Sequence, residues 1–225
     1  MQRPLQVIDL LKFGAARHAK QEIVTRRLEG DIHRYTYADC YRRSAQMAHA
    51  LTALGISPGE RVASLAWNTY RHMELYYAVS GIGAVMHTVN PRLFAEQISW
   101  IINHAESGWV FVDLSFVELL EPIADQLPQV KGFIIMTDKA HMPTTSLPNV
   151  HCYEALIEEQ PSDYDWPDID ENSAALLCYT SGTTGNPKGV IASHRAMVLH
   201  AQATISRDML DLSTNTVLMP MVTMY

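Results

Sequence analysis

"ERVASLAWNTYRHMELYYAVSGIGAVMHTVNPRLFAEQISWIINHAESGWVFVD", Glu60 to Asp113, decides the fold. Within it "RVASLAW" and "AVMHTVN" are short, nearly continuous apolar runs, which predicts strands buried on both faces. "RHMELYYAVSGIG" between them has the length and spacing of a helix, and Pro91 ends the second strand. "FAEQISWIINHAE" is a second helix and "WVFVD" a third strand. This alternation points to an α/β fold, a mostly parallel sheet flanked by helices.

The pattern extends outward from this block. "VIDLLKFGAARHA" places Ile8, Leu11 and Ala15 on one helical face, and "EIVTRRLEGDIHRYTY" predicts two short strands around the turn Glu29-Gly30-Asp31. Thr36 is placed to cap a helix running to about Leu54, with Asp39 completing a capping box. Its apolar positions are Tyr37, Tyr41, Ala45, Ala48 and Leu51, and Gly55 supplies the stop. Downstream, "FVELLEPIADQL" predicts a helix and "GFIIMTD" a strand. From Lys139 to Asn172 the texture becomes polar, and "HMPTTSLPN" and "EEQPSDYDWPDIDEN" read as surface connections. "SAALLCYTS" is then a strand and "SHRAMVLHAQATI" a helix. The final "NTVLMPMVTMY" reads as a strand with Met219, Met221 and Met224 in its core. That run stops without a cap, turn or polar tail, so a longer protein is expected. No repeat of fixed period is present.

The 225 residues are 48% hydrophobic and 18% charged, an ordinary globular composition. A net charge of -7 argues against a nucleic-acid-binding face. Arg26-Arg27 and Arg42-Arg43 read as solvated surface. The three cysteines, Cys40, Cys152 and Cys178, form no CxxC pair and suit buried thiols in a reducing compartment. The first residues lack a signal-peptide core, and no run of 18 apolar residues predicts a membrane span, so the cytoplasm is the expected location. None of the ten histidines forms an HExxH motif. His18 and His104 fall at helix C-termini. His87 reads as a fold residue, with a pocket-lining role left open, and His194 as fixing the start of its helix. Trp67, Trp100, Trp109 and Trp166 read as packing residues.

One stretch carries chemistry: "YTSGTTGNPKGV", Tyr179 to Val190. A strand feeding a Gly-rich loop before a helix suits phosphate binding. Gly182 and Gly185 lack Cβ atoms, so backbone N–H groups can approach an anion. Ser181, Thr183 and Thr184 add hydroxyls, Lys188 adds a positive charge and Pro187 stiffens the exit. The Walker A pattern fails, because the glycines are too close, Asn186-Pro187 intervene and Gly189 follows the lysine. "SGTTG" alone reads equally well as a polar surface loop.

The whole string, followed by "SHR", resembles the phosphate-binding signature of the adenylate-forming superfamily: acyl-CoA synthetases, luciferases and peptide-synthetase adenylation domains. The block Glu60 to Asp113, above all "HTVNPRL" (His87 to Leu93), resembles bacterial medium- and long-chain fatty acyl-CoA synthetases. Related acid:CoA ligases for short thioether acids share it. The resemblance implies that residues 1–225 are the N-terminal part of a large AMP-binding domain, with the small C-terminal domain outside this chain. It implies conversion of a medium- or long-chain fatty acid with ATP to acyl-adenylate and pyrophosphate, then with CoA to acyl-CoA and AMP. The expected cofactors are ATP, Mg²⁺ and the co-substrate CoA. By resemblance Thr180, Ser181, Gly182, Thr183, Thr184, Gly185 and Lys188 hold the nucleotide; Thr184 and Lys188 are the catalytic residues, Thr184 touching Mg²⁺ and Lys188 supporting either the loop or the departing pyrophosphate. The adenine, ribose and catalytic-lysine motifs would lie beyond Tyr225, so the piece alone is expected to be inactive. "MVTMY" stands where the family has a segment like "VPMFHVNAW", with Thr223 in place of proline; that region helps form the acyl pocket. Partners implied are a small carboxylic acid, ATP and CoA, with a homodimer as one arrangement. Two alternatives stay open: a ligase of the same superfamily for a short thioether, aromatic or amino acid, and a truncated, non-catalytic segment that binds nucleotide or a partner.

Overall fold

The computed structural model describes residues 3–180, 186–222 and 224. Helix α1 (Val7–Arg17) buries Val7, Ile8 and Leu11. Strands β1 (Glu22–Arg26) and β2 (Ile32–Thr36) pair antiparallel around a turn in which Gly30 takes φ +105°, as the sequence predicts. Helix α2 (Tyr37–Ala53) begins with the expected capping box. The Asp39 N–H donates to the Thr36 hydroxyl at 3.2 Å, and the Thr36 N–H donates to the Asp39 carboxylate at 2.9 Å. Such a cap contributes about 1 kcal/mol. The helix ends where Gly55 adopts φ +78°.

The main sheet starts with β3 (Arg61–Leu65), α3 (Tyr70–Gly81), β4 (Val85–Thr88), α4 (Ala95–His104) and β5 (Trp109–Val112). It continues with α5 (Val117–Leu120), β6 (Gly132–Ile135), β7 (Val150–Cys152), α6 (Tyr153–Ile157), β8 (Ala174–Thr180), β9 (Lys188–Ser193) and α7 (His194–Thr204). Among the described residues its order is β7-β6-β5-β3-β4-β8-β9, parallel except for the final pair. The α/β expectation is therefore correct. Alternate strand residues face opposite layers. Phe111, Ile134, Met86 and Leu176 pack with α2, α3 and α6, while Val110, Val112, Phe133 and Ile135 pack beneath α4 and α5. Each such buried side chain contributes roughly 1.5–3 kcal/mol. From β3 the chain goes to β4 on one side and later to β5 on the other, so the topological switch lies at β3.

The β1–β2 hairpin is locked to the carboxyl edge of this sheet by buried ions. Arg71 donates to Glu29 at 2.7 Å, to Glu154 at 2.8 Å and to the Met136 carbonyl at 3.0 Å. Arg43 clamps both oxygens of Glu154 at 3.0 Å and reaches Glu74 at 2.7 Å, where the Tyr153 hydroxyl also donates.

Five expectations need correction. Arg43, expected as solvated surface, instead bonds Glu74 and Glu154 in the ion network that holds the hairpin. "FVELLEPIADQL" is not one helix but 3₁₀ turns around the single turn α5, because Pro122 has no N–H to continue the α-helical ladder. The polar stretch after Lys139 contains β7 and α6, with Tyr153 fully buried. A three-residue strand is too short to show a period. Within the same stretch Trp166 lies against Gly81, where a Cβ would come 2.3 Å from the indole ring, and its N–H donates to Tyr41. The helix after "SAALLCYTS" does not follow the loop directly, since β9 intervenes. The final apolar run contains no strand among its described residues; Met219 and Met221 are exposed rather than core.

Candidate functional site

Strand β8 pairs with β4 through Met86↔Leu176, His87↔Leu177 and Thr88↔Cys178, then runs two residues further. Strand β9 returns antiparallel, setting Cys178 opposite Val190, Tyr179 opposite Gly189 and Thr180 opposite Lys188. The Gly-rich stretch therefore bridges the open end of a hairpin, and Thr180 and Lys188 face each other at its mouth, both exposed. Of the other predicted site residues, Ser181, Gly182, Thr183, Thr184 and Gly185 lie outside the described residues.

The hairpin changes the electrostatic reading. Helix α7 starts at the far end of β9, roughly 17 Å from Lys188 at the usual rise per strand residue. Its N-terminus, where Ser193 accepts the Ala196 N–H, is too far to hold a phosphate near Lys188. Of the described residues around the Gly-rich stretch, Lys188 is the one that brings a positive charge to the mouth of the hairpin. The signal for β9 was the β-branched pair Val190-Ile191, masked by the Lys-Gly before it.

The hairpin is pinned on one face just behind its mouth. The Tyr179 hydroxyl is 2.7 Å from His104 Nδ1 at the end of α4, and Trp100 stacks on that imidazole at 4.5 Å. Gly189 opposite leaves room for the Tyr179 ring; a Cβ there would lie 3.4 Å from it. His87 beneath is fully buried, 2.7 Å from Ser107 Oγ, and burial pushes its pKa down to about 3. It stays neutral at physiological pH and packs the fold. His194 is also buried, and its Nδ1 accepts the Val7 N–H at 3.3 Å, tying α7 to α1. Cys40 and Cys152 are buried and Cys178 is half-buried, all three as free thiols.

The switch point forms a second feature on the same carboxyl edge. The Trp67 N–H, just after β3, donates at 2.6 Å to Asp113, just after β5. Burial pushes the Asp113 carboxyl up to about 7, against the opposing pull of that N–H. The sign follows by linkage. Between about pH 4 and 7 the folded state keeps a proton the unfolded state has lost, so this group's stabilisation is full below pH 4 and gone above 7. Asp113→Asn, which stays neutral, should raise the unfolding midpoint by several degrees at pH 8 and by much less at pH 5. Equal shifts at both pH values would contradict this account.

Sequence reasoning missed Asn68 and Tyr76, whose side chains bond the backbone of Pro220, Val222 and Met224 at this edge. The available signal was a polar Asn between a buried strand and the Thr69 helix cap. An open cleft of about 510 Å³ beside Arg43, Asp138, Lys139 and Glu154 lies at the β6–β7 end of the sheet, far from the hairpin. Its charges are all paired: Arg43 with Glu154, Asp138 with Arg27 and Lys139 with Glu158. No group of three or more His, Cys, Asp or Glu that could hold a metal is present among the described residues. Nor, among them, is any helix long and apolar enough to cross a membrane.

Comparison with known proteins bears on this geometry. Residues 12–225 match the family described as AMP-binding enzyme. The chain is 44% identical over its whole length to 3-methylmercaptopropionyl-CoA ligase of Ruegeria lacuscaerulensis, covering 42% of that protein. It is 43% identical, again over its whole length, to medium-chain-fatty-acid–CoA ligase of Ectopseudomonas oleovorans, covering 41%. The chain thus spans about two fifths of the length of the curated relatives it matches. Among solved structures, the anthranilate CoA ligase AuaEII in complex with anthranoyl-AMP superposes with a TM-score of 0.80 at 21% identity, over 90% of this chain and 37% of that one. At that identity the likeness supports the fold.

Proposed function

This chain belongs to the AMP-binding enzyme family, and from that premise we propose that the full-length protein is an AMP-forming acid–CoA ligase acting on a medium- or long-chain fatty acid. The observation that carries the reading is the hairpin that sets Thr180 opposite Lys188 across the Gly-rich stretch, in a chain matched to the family from residue 12 to 225. The first half-reaction joins a carboxylate oxygen to the α-phosphorus of ATP and releases pyrophosphate. In the second the CoA thiolate attacks the acyl carbon, a thioester forms and AMP leaves. The difficulty of the first step is charge, since a carboxylate must approach through a shell of anionic oxygens. Preorganised donors lower that barrier because they need no reorganisation during the reaction.

In this reading Thr180, Ser181, Gly182, Thr183, Thr184 and Gly185 wrap the β- and γ-phosphates, and Lys188 balances the charge of the departing pyrophosphate. Mg²⁺ would enter with the nucleotide, held by phosphate oxygens, water and the Thr184 hydroxyl. A hydroxyl is a hard oxygen donor of the kind this ion accepts, and Mg²⁺ sites commonly need few protein ligands. The reading places the protein in the cytoplasm, with a homodimer as one arrangement.

A second reading has support of its own: the chain is 44% identical to a 3-methylmercaptopropionyl-CoA ligase against 43% to the fatty-acid enzyme, so a short thioether acid is supported as well as a fatty acid. The products test both. Full-length protein supplied with ATP, Mg²⁺, CoA and a panel of acids should form one AMP per acyl-CoA. The preferred acid then separates the readings. ADP and phosphate as products, or no thioester with any acid, would overturn the proposal.

A further inference from the structure

The mouth of the phosphate hairpin has little to hold it from the side. Strand β4 pairs with β8 only as far as Thr88↔Cys178, so Tyr179 and Thr180 extend past it. On the other flank Lys188 to Ile191 are exposed, and among the described residues β9 pairs with no strand but β8. Two paired strand ends alone make a weak mount.

Tyr179 is the exception. Strand alternation sets it with Leu177 on the face toward the end of α4, back to back with Thr180 and Lys188 on the α3 face. Its hydroxyl lies 2.7 Å from His104 Nδ1. One turn earlier on α4, Trp100 stacks on that imidazole at 4.5 Å and meets the Tyr179 ring edge-on at 6.2 Å. From β4, the His87 ring approaches Tyr179 to 5.4 Å. On β9 the ring rests against Gly189, the neighbour of Lys188, where a Cβ would come 3.3 Å from Leu177 and 3.4 Å from Tyr179. One side chain thus joins α4, β4 and both strands of the hairpin, one residue before Thr180. The back of the hairpin is fixed while its front stays open.

We propose that Tyr179 and His104 are positioning residues that hold the mouth of the phosphate hairpin to α4 and so set where Lys188 stands against the pyrophosphate part of the nucleotide. The inference rests on the acid–CoA ligase reading above. Neither side chain touches the reacting atoms. Both act through the backbone of β8 and β9, and placement matters because a charge misplaced by about 1 Å can cost as much as about 10²-fold in rate.

The test uses full-length protein and acid-dependent pyrophosphate exchange. Tyr179→Phe, which removes a single oxygen, should lower kcat/KM for ATP about tenfold, with KM for the acid and the unfolding midpoint nearly unchanged. His104→Ala should do the same, and the two together should cost no more than either alone, because they break one bond. His104→Asn, which keeps a polar atom near the place of Nδ1, should recover part of the loss. In a Lys188→Met background, Tyr179→Phe should cost less than about twofold, since the group it positions is gone. His104 is exposed, so His104→Ala decides the matter if Tyr179→Phe does not fold. Unchanged kcat/KM for ATP in the single variants, an equal rise in KM for the acid, or a full tenfold loss in the Lys188→Met background overturns the proposal. Wild-type protein without exchange with any acid would overturn the functional reading, and the proposal with it.

Discussion

Lys188→Met in the full-length protein should lower acid-dependent pyrophosphate exchange about 10²–10³-fold, the usual cost of deleting one preorganised donor to developing negative charge. The expectation follows from register. Lys188 opposes Thr180 at the hairpin mouth, and the α7 N-terminus lies too far along β9 to substitute for it. With the α7 dipole out of reach, the lysine is the positive charge that the hairpin itself offers. The side chain is exposed, so the unfolding midpoint should hardly move. Thr184→Val in parallel should cost a comparable factor, and raising Mg²⁺ should restore part of it if that hydroxyl meets the ion. A loss below about threefold for Lys188→Met would remove the lysine from the site, since even one neutral hydrogen bond is worth more than that when desolvated.

Arg71→Met should be the most destabilising single change in the hairpin anchor. Removing one partner from a buried ion pair costs about 3–5 kcal/mol, because the other charge is left unpaired. Here the guanidinium is 3% exposed and the Glu29 carboxylate 1%, with Glu154 on its other side. Arg71 also lies over the Tyr70 ring at 4.8 Å. Glu29 keeps its pKa low despite burial because Arg71 and its hydrogen bonds oppose the cost of desolvation. Without the arginine, Glu29 must either protonate or draw the hairpin off the sheet. Adding Glu29→Gln to Arg71→Met should therefore recover part of the loss. The control is Arg34→Met, whose pair with Glu22 is more than half exposed and contributes at most about 1 kcal/mol. Similar shifts in unfolding midpoint for the two arginine variants would contradict this account.

The legibility of the chain followed the reach of each signal. The block from Glu60 to Asp113 could be read because its strands are apolar on both faces and its helices are long; β3, α3, β4, α4 and β5 all fall where the pattern puts them. Local chemistry was equally plain at Thr36, Asp39 and Gly55, since a cap needs only neighbouring residues. What failed was non-local. Strand β7 is three residues long and exists because β6 lies beside it. Strand β9 exists because β8 offers an edge. The run ending at Met224 has the composition of a strand but, among the described residues, no strand to pair with, and Asn68 holds it instead. At the candidate site, the residue types of the loop were visible in the sequence. The opposition of Thr180 and Lys188 was not, because it depends on the register of a strand the sequence hid.

The central claim is that this hairpin serves an adenylate-forming reaction. Exchange of labelled pyrophosphate into ATP by the full-length protein tests it most directly, since only a reversible adenylation produces it without CoA. The account predicts exchange that requires Mg²⁺ and a carboxylic acid and that falls steeply in Lys188→Met. Exchange that proceeds without any acid, or none with short-, medium- or long-chain acids, would contradict it.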